Sequence, residues 1–285
     1  MKRMIVVSLL VAAVMCMMTG TGFAAEDVLE EILKAGVVKV STDANYAPQS
    51  FLNDNGELDG FDIGVAKEVA TRLGVEVEFI TPDWDLITSG KWGKRWDLSI
   101  GSMTPTVDRK EVLVFTRAYY YTPAQFAIHA KNTTFATLND LDGKVVGTCS
   151  ECTYDRYLNR ELELLDQEVT YPDWKPGEIR TYKTDADVIQ DLALGDGIRL
   201  DALLSATATI HEAIQSGCGD GCPLKMLGDP VFYDALSFAI DKSRVSNDTF
   251  LAKLDEILDA MHADGTLTEL SMTWYGVDLT KKAGE

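Results

Sequence analysis

The stretch DLSIGSMTPTVDR, residues 97–109, begins like a buried β-strand and ends in a hydroxyl-rich turn that carries one arginine. A planar guanidinium beside short hydroxyl donors suits a carboxylate better than other small-molecule groups. The stretch therefore predicts that Arg109 and its neighbours hold the acid end of a small ligand. A plainer alternative stays open at this point, in which Thr106 caps a helix and Arg109 is a solvated surface residue.

Strand and helix patterns alternate on both sides of this stretch. Residues 37–41 and 75–80 are typical of strands, and with the helical pattern at 62–73, which Gly74 is expected to end, they predict a βαβ unit. A second α/β unit starts with a strand at 144–148, which a predicted helix at 154–165 and an irregular loop at 166–182 follow. Because no repeat of fixed period and no Gly/Ser linker separates the units, the sequence predicts two α/β halves joined by extended strands.

The composition narrows the range of partners. The chain has 285 residues, of which 46% are hydrophobic and 25% charged, and its formal net charge is -19. A nucleic-acid-binding protein needs a basic face, so this acidity argues against nucleic acid and against docking on anionic lipid. The histidines show no metal-ligand spacing, and neither a metal nor another cofactor is expected.

Residues 1–24 have the pattern of a secretory signal peptide. A basic start precedes an apolar run at 5–18, and small residues lead to Ala24, after which cleavage is expected. The apolar run is too short for a convincing transmembrane span. Cys16 offers a lipid-anchor alternative, which the bulky residue before it disfavours. The mature chain is therefore expected to be exported and soluble.

Four cysteines follow the expected cleavage site: Cys149, Cys152, Cys218 and Cys222. Disulfides are the default in an oxidising compartment, and four cysteines allow three pairings. We favour two local bridges, Cys149–Cys152 and Cys218–Cys222. A zinc site with two cysteines from each pair is the alternative that the sequence leaves open.

Several short motifs occur in the order that is typical of one protein family. They are TDANYAP at 42–48, GELDGFDI at 56–63, LGVEVEF at 73–79, LDGKVVG at 141–147, ADGTL at 263–267 and WYG at 274–276. Together with the Thr-x-x-Arg turn that ends at Arg109, they make the chain resemble solute-binding protein family 3, the extracytoplasmic amino-acid receptors of ABC importers.

This resemblance implies a type II periplasmic-binding-protein-like fold, in which two α/β lobes are linked by two hinge strands and the ligand lies in the interlobe cleft. Residues 25–124 and 236–285 are then expected to form lobe I, and residues 125–235 lobe II. Closure around the ligand would be a hinge motion. A periplasmic monomer without enzymatic activity is expected, with a small carboxylate ligand and an ABC permease as partners.

By motif position, the resemblance also implies roles for single residues. Arg109 should grip the ligand's α-carboxylate. Ser102 and Thr104 should add hydroxyl or backbone contacts, with Gly101 offering its backbone. Thr153, in the first loop of lobe II, should reach the same carboxylate from the other side.

Three further residues match the part of the family's site that holds the ligand side chain. Tyr46 and Trp84 match its two aromatic walls. Asp43 matches an acidic position that meets the side-chain charge in receptors for cationic amino acids. Aromatic faces with a carboxylate suit a cation or a long polar side chain, so a polar or cationic amino acid is the expected ligand.

One position departs from the family pattern. Relatives that bind α-amino acids carry an aspartate where this chain has Ala206. Because a buried ammonium without a partner is costly, either Glu151 or Asp155 should supply the charge, or the ligand lacks an ordinary α-ammonium. Glu151 is also the candidate general acid for the alternative function, an exported enzyme that resembles the cyclohexadienyl dehydratases.

Overall fold

The computed structural model describes four segments of the chain, residues 27–165, 167–216, 223–244 and 247–282. The predicted signal peptide, Cys16 and the predicted Cys218–Cys222 bridge lie outside the described residues. Within these segments, helices and strands alternate along the chain, as the sequence patterns predict.

The strands are β1 (Val37–Ser41), β2 (Asn45–Tyr46), β3 (Ser50–Leu52), β4 (Leu58–Asp59), β5 (Glu76–Ile80), β6 (Leu98–Met103), β7 (Leu113–His129), β8 (Val145–Cys149), β9 (Glu178–Tyr182), β10 (Ala202–Ala206) and β11 (Leu224–Asp241). The helices are α1 (Val28–Ala35), α2 (Phe61–Leu73), α3 (Trp84–Thr88), α4 (Arg109–Val112), α5 (Thr153–Asn159), α6 (Asp185–Ala193), α7 (Thr207–Ser216), α8 (Asp248–Ala263) and α9 (Thr266–Tyr275). A 3-10 turn, Leu138–Leu141, lies between β7 and β8.

Most strands belong to one sheet with the order β5-β1-β6-β11-β7-β10-β8-β9, while β2, β3 and β4 form a small separate sheet. Strand β1 pairs in parallel with β5 and β6, and β8 pairs in parallel with β9 and β10. Between these two parallel groups, β7 and β11 run antiparallel to each other along their lengths. These two long strands connect the parallel groups, which is the arrangement predicted for hinge strands.

Different hydrophobic cores lie on the two sides of this crossing. On β7, Tyr120 packs in the core around α2 and α8, whereas Ala124 packs in the core that includes the side chains of α5. On β11, the same change falls between Phe232 and Leu236. We call the first side lobe I and the second lobe II. The changes of core fall close to the predicted lobe boundaries, whose exact positions remain predictions.

Helix α2 shows how the sequence fixes local structure in lobe I. It begins at Phe61 after Gly60, whose φ is +123°, and a Cβ at Gly60 would lie 2.4 Å from the carbonyl oxygen of Gln49. Glycine alone tolerates such a conformation and such a close approach. Gly74 ends the helix in the left-handed conformation, as predicted.

Two segments of lobe II differ from the sequence-based predictions. The helix predicted over residues 154–165 ends at Asn159, because Arg160 takes a left-handed conformation and its N–H donates to the carbonyl of Tyr157. The irregular loop predicted over residues 166–182 contains β9. This is an edge strand whose burial does not alternate, so its sequence gave no period-2 signal.

Candidate functional site

A cavity lies between the lobes, where parallel strands of both groups end. Asp43 follows β1, Gly101 lies near the end of β6, Thr153 follows β8 and Lys183 follows β9. Loops and helix starts converge at the carboxyl edge of parallel strands, which makes this edge a common ligand site. The cavity is lined by Asp43, Tyr46, Trp84, Gly101, Ser102, Thr104, Arg109, Cys149, Ser150, Cys152, Thr153, Tyr154, Lys183, Thr184, Asp185 and Asp234. This set contains all of the predicted binding residues except Glu151.

Arg109, the first residue of α4, is buried at one end of the cavity. Its Nη1 donates to the carbonyl of Thr104 at 3.1 Å, while Nε has no hydrogen-bond partner among the described residues. The guanidinium lies over the ring of Trp84, 5.3 Å from the centroid. Burial lowers the pKa of Arg109 to about 10, which still leaves it a cation at neutral pH. A buried cation with an unused donor is suited to an anionic ligand group.

Asp234 of β11 is a buried carboxylate that links both lobes. Its Oδ1 accepts a hydrogen bond from the hydroxyl of Thr104 at 2.6 Å, and its Oδ2 accepts one from the hydroxyl of Thr153 at 3.3 Å. The carboxylate also acts electrostatically on Arg109. The hydroxyls of Thr104 and Thr153, both predicted to contact the ligand, therefore donate to Asp234, a residue that was not predicted to belong to the site. The available signal was weak, because Asp234 is one of three aspartates in a strand that is otherwise largely apolar.

Ser102 belongs to a hydrogen-bonded network beneath the cavity floor. Its φ of +54° is in the left-handed region, and its hydroxyl donates to Oδ2 of the fully buried Asp62 at 2.7 Å. The hydroxyl of Tyr119 donates to the other carboxylate oxygen at 2.6 Å and accepts from the N–H of Ser102 at 3.0 Å. Burial raises the pKa of Asp62 to about 7, against the opposing effect of these two hydroxyls. The network holds Ser102 in its unusual backbone conformation.

A second acidic group lines the cavity in a different place. Asp185, at the start of α6, is buried and accepts a hydrogen bond from the hydroxyl of Ser205. Burial and, to a smaller extent, the nearby charge of Asp43 raise the pKa of Asp185 to about 6, against the opposing effect of the Ser205 hydroxyl. Burial likewise raises the pKa of Asp43, whose Oδ1 accepts from the N–H of Asn45 at 2.7 Å. Sequence reasoning missed Asp185 because the strand that precedes it was predicted as loop.

The loop after β8 contains the disulfide Cys149–Cys152, which confirms the predicted pairing and leaves neither thiolate for a zinc ion. Between these cysteines, the main-chain carbonyl of Glu151 accepts from Nη2 of Arg109 at 2.8 Å and from Nε1 of Trp84 at 3.4 Å. These contacts join lobe II to lobe I.

Glu151 and Asp155, which were expected to replace the aspartate missing at position 206, do not line the cavity. The Glu151 side chain is 58% exposed and lies 3.5 Å from Nη2 of Arg156. Asp155 accepts hydrogen bonds from the N–H of Glu151 and the side chain of Asn159, and it does not line the cavity. Neither carboxylate is therefore placed to meet a ligand ammonium in this structure.

Contacts across the cleft show that the lobes are closed. Lys183 of lobe II forms an ion pair with Asp83 of lobe I at 2.7 Å. The N–H of Val107 donates to the carbonyl of Glu163 at 3.1 Å. The side chains of Gln49 and Thr209 also hydrogen-bond across the cleft at 3.2 Å. Such contacts form only when a hinge has brought two lobes together.

Two α/β lobes, two long connecting strands and a cavity between the lobes define a two-lobed ligand-binding protein, and this confirms the predicted fold class. The chain belongs to the bacterial extracellular solute-binding proteins, family 3, whose family model matches residues 38–277. Among the described residues, no helix combines the length and apolar character that crossing a membrane requires.

Relatives of known name cover almost the whole chain. The L-cystine-binding protein TcyJ of Escherichia coli K12 is 28% identical over 284 residues, which is 98% of this chain and 97% of that protein. The L-arginine-binding protein of Pseudomonas aeruginosa PAO1 is 25% identical over 247 residues, covering 85% of this chain and 89% of that protein. An ancestral arginine-binding protein bound to arginine matches with a TM-score of 0.72 at 27% identity, covering 85% of this chain and 99% of that chain.

Proposed function

We propose that this protein is the periplasmic receptor of an ABC importer and delivers an amino acid to the permease as a monomer. The relatives support the class of function, because they carry the names of binding proteins for cystine and arginine. The observation that carries the proposal is Arg109. A buried guanidinium with an unused Nε donor faces a cavity between two closed lobes.

The ligand's α-carboxylate would bind to Arg109, with Trp84 stacked on the other side of the guanidinium. Replacing water by a ligand that contacts both lobes stabilises the closed state, because only differential binding shifts an open–closed equilibrium. Lobe I supplies Arg109, and lobe II supplies Thr153 and the loop around Glu151. Ligand binding and lobe closure are thereby one event.

The α-ammonium would bind to Asp234, because this chain has Ala206 where relatives carry the aspartate that pairs with the ammonium. Asp234 lies close enough to Arg109 to act on its charge, as an ammonium site next to a carboxylate site requires. Its hydrogen bonds to Thr104 and Thr153 fix the carboxylate between the lobes. This assignment removes the need for an ammonium partner on the loop that contains Glu151.

We infer further that the protein has no dehydratase activity. A dehydratase needs a general acid in the cleft, and the candidate was Glu151. Its carboxylate lies outside the cavity lining and beside Arg156. Incubation with prephenate or arogenate is expected to leave both unchanged, and product formation would contradict this.

Isothermal titration calorimetry with a panel of L-amino acids tests the receptor function. Arg109→Met should weaken binding of the best amino acid at least about 100-fold, because the carboxylate loses a buried, charged partner. Arg117→Met is the matched control, since Arg117 is 64% exposed and pairs with Asp259 away from the cavity. The amide of the same amino acid should bind poorly to the unmodified protein. Equal affinity of acid and amide, or no loss in Arg109→Met, would refute the proposal.

A further inference from the structure

Two carboxyl groups from opposite lobes face the same part of the cavity. Asp43 follows β1 of lobe I, and Asp185 starts α6 of lobe II. They are close enough for the charge of Asp43 to act on Asp185. The charges that act on Arg109 are a different set, which includes Asp234 and Asp108. The cavity therefore has a cationic part around Arg109 and a separate anionic part.

The anionic part has no cationic hydrogen-bond partner within the part of the chain that the structure describes. No Lys or Arg side chain hydrogen-bonds to Asp43 or Asp185 among the described residues, where Asp185 is bonded to Ser205 and Asp43 to backbone N–H groups. Lys183 also lines the cavity and its charge acts on Asp43, but its side chain is 69% exposed and its ammonium pairs with Asp83 at 2.7 Å. A ligand can therefore supply the positive charge that these two carboxylates are arranged to receive.

Lobe closure makes this arrangement sensitive to ligand charge. Moving like charges together in a partly buried site is unfavourable, whereas a cation between them turns repulsion into attraction. Tyr46, Trp84 and Tyr154 line the same cavity and offer aromatic surface for an apolar stem. A ligand with a carboxylate at one end and a cation at the other would satisfy each part of the cavity.

Resting on the proposed receptor function, we propose that Asp43 and Asp185 form a cross-lobe acid pair that selects amino acids with a cationic side chain. Asp185 is the specificity-determining residue on lobe II. It favours guanidino or ammonio side chains over neutral side chains of the same shape. Asp234 is then left for the α-ammonium, so the two positive charges of the ligand have separate partners.

Calorimetry with L-arginine and its neutral isostere L-citrulline tests the acid pair. The unmodified protein should bind arginine at least about 100-fold more tightly than citrulline, because only arginine places a charge between the carboxylates. Asp185→Asn should weaken arginine binding by a factor of about 10 or more and leave citrulline binding unchanged, so that the preference shrinks. Asp43→Asn, the corresponding change on lobe I, should also reduce the preference for arginine over citrulline.

Asp187→Asn is the matched control, because Asp187 is exposed on the same helix and lies outside the cavity lining. Equal binding of arginine and citrulline to the unmodified protein would overturn the proposal. An equal loss of both ligands in Asp185→Asn would also overturn it, since that result indicates a structural role. If other amino acids bind tightly and arginine does not, the acid pair fails while the receptor function stands. If no amino acid binds, the receptor function itself fails.

Discussion

Asp62→Asn should change how the stability of the protein depends on pH. Asp62 is fully buried, and its hydrogen-bond donors are the neutral hydroxyls of Tyr119 and Ser102. Its pKa is raised from 3.8 to about 7 in the folded protein. Because the folded state holds this proton more tightly than the unfolded state, the proton stabilises the fold at low pH. That stabilisation is lost as the pH rises toward and through 7.

The size of the effect follows from the two pKa values. Integrated between pH 5 and pH 8, the titration of Asp62 removes about 2.5 kcal/mol from the free energy of unfolding. The asparagine does not titrate, so the stability of Asp62→Asn relative to the unmodified protein should rise by that amount over the same interval. Any constant cost of repacking the amide cancels in the comparison.

Urea unfolding of both proteins at pH 5, 6, 7 and 8 measures this difference. Asp54→Asn is a suitable control, because Asp54 is exposed in a turn of the same lobe. Its stability relative to the unmodified protein should stay nearly constant with pH. If the difference between Asp62→Asn and the unmodified protein is the same at pH 5 and pH 8, the assignment of a raised pKa to Asp62 is wrong.

Two other substitutions test the backbone and the closed state. Gly60→Ala should lower the free energy of unfolding by at least about 2 kcal/mol in urea titrations, because the added Cβ would meet the Gln49 carbonyl at an unfavourable φ; a loss below about 0.5 kcal/mol would contradict this. Lys183→Met should raise the ligand dissociation rate in stopped-flow experiments by a factor of only about two to five, because the ion pair with Asp83 is exposed. An increase of more than about 50-fold would show that this pair dominates closure.

The sequence could predict those parts of the fold and site that depend on local pattern. Arg109 follows Thr106 by one helical turn, and the hydroxyls around it belong to the same short stretch. Their proximity could therefore be predicted from the sequence. The βαβ order could be predicted in the same way, because glycines such as Gly74 end helices at defined positions. The pairing Cys149–Cys152 is local in the same sense, although export had to be inferred before it could be favoured.

The acidic partners could not be predicted because long-range pairing brings them to the cavity. Asp234 meets Thr104 across 130 residues of chain, through the ladder between β11 and β6. Asp185 reaches the cavity only because β9 joins the sheet, and that strand lacks a regular pattern. Glu151 shows the converse error. Its position was predicted, but its φ of +57° accompanies a loop that presents the carbonyl to Arg109 and the carboxylate to Arg156.

The long strands β7 and β11 also determine in what order the molecule can be completed. The core of lobe I needs Leu254 and Leu258 of α8 as well as Val65 and Val69 of α2, whereas the fully packed residues described in the cores of lobe II all lie between β7 and β11. As a ribosome or an export channel releases the chain from its amino end, lobe II has all of its parts first. The first residues of lobe I cannot complete their hydrophobic core until α8 has been released. A chain stopped before α8 would therefore expose the apolar surface of lobe I, even though that lobe contains the beginning of the fold.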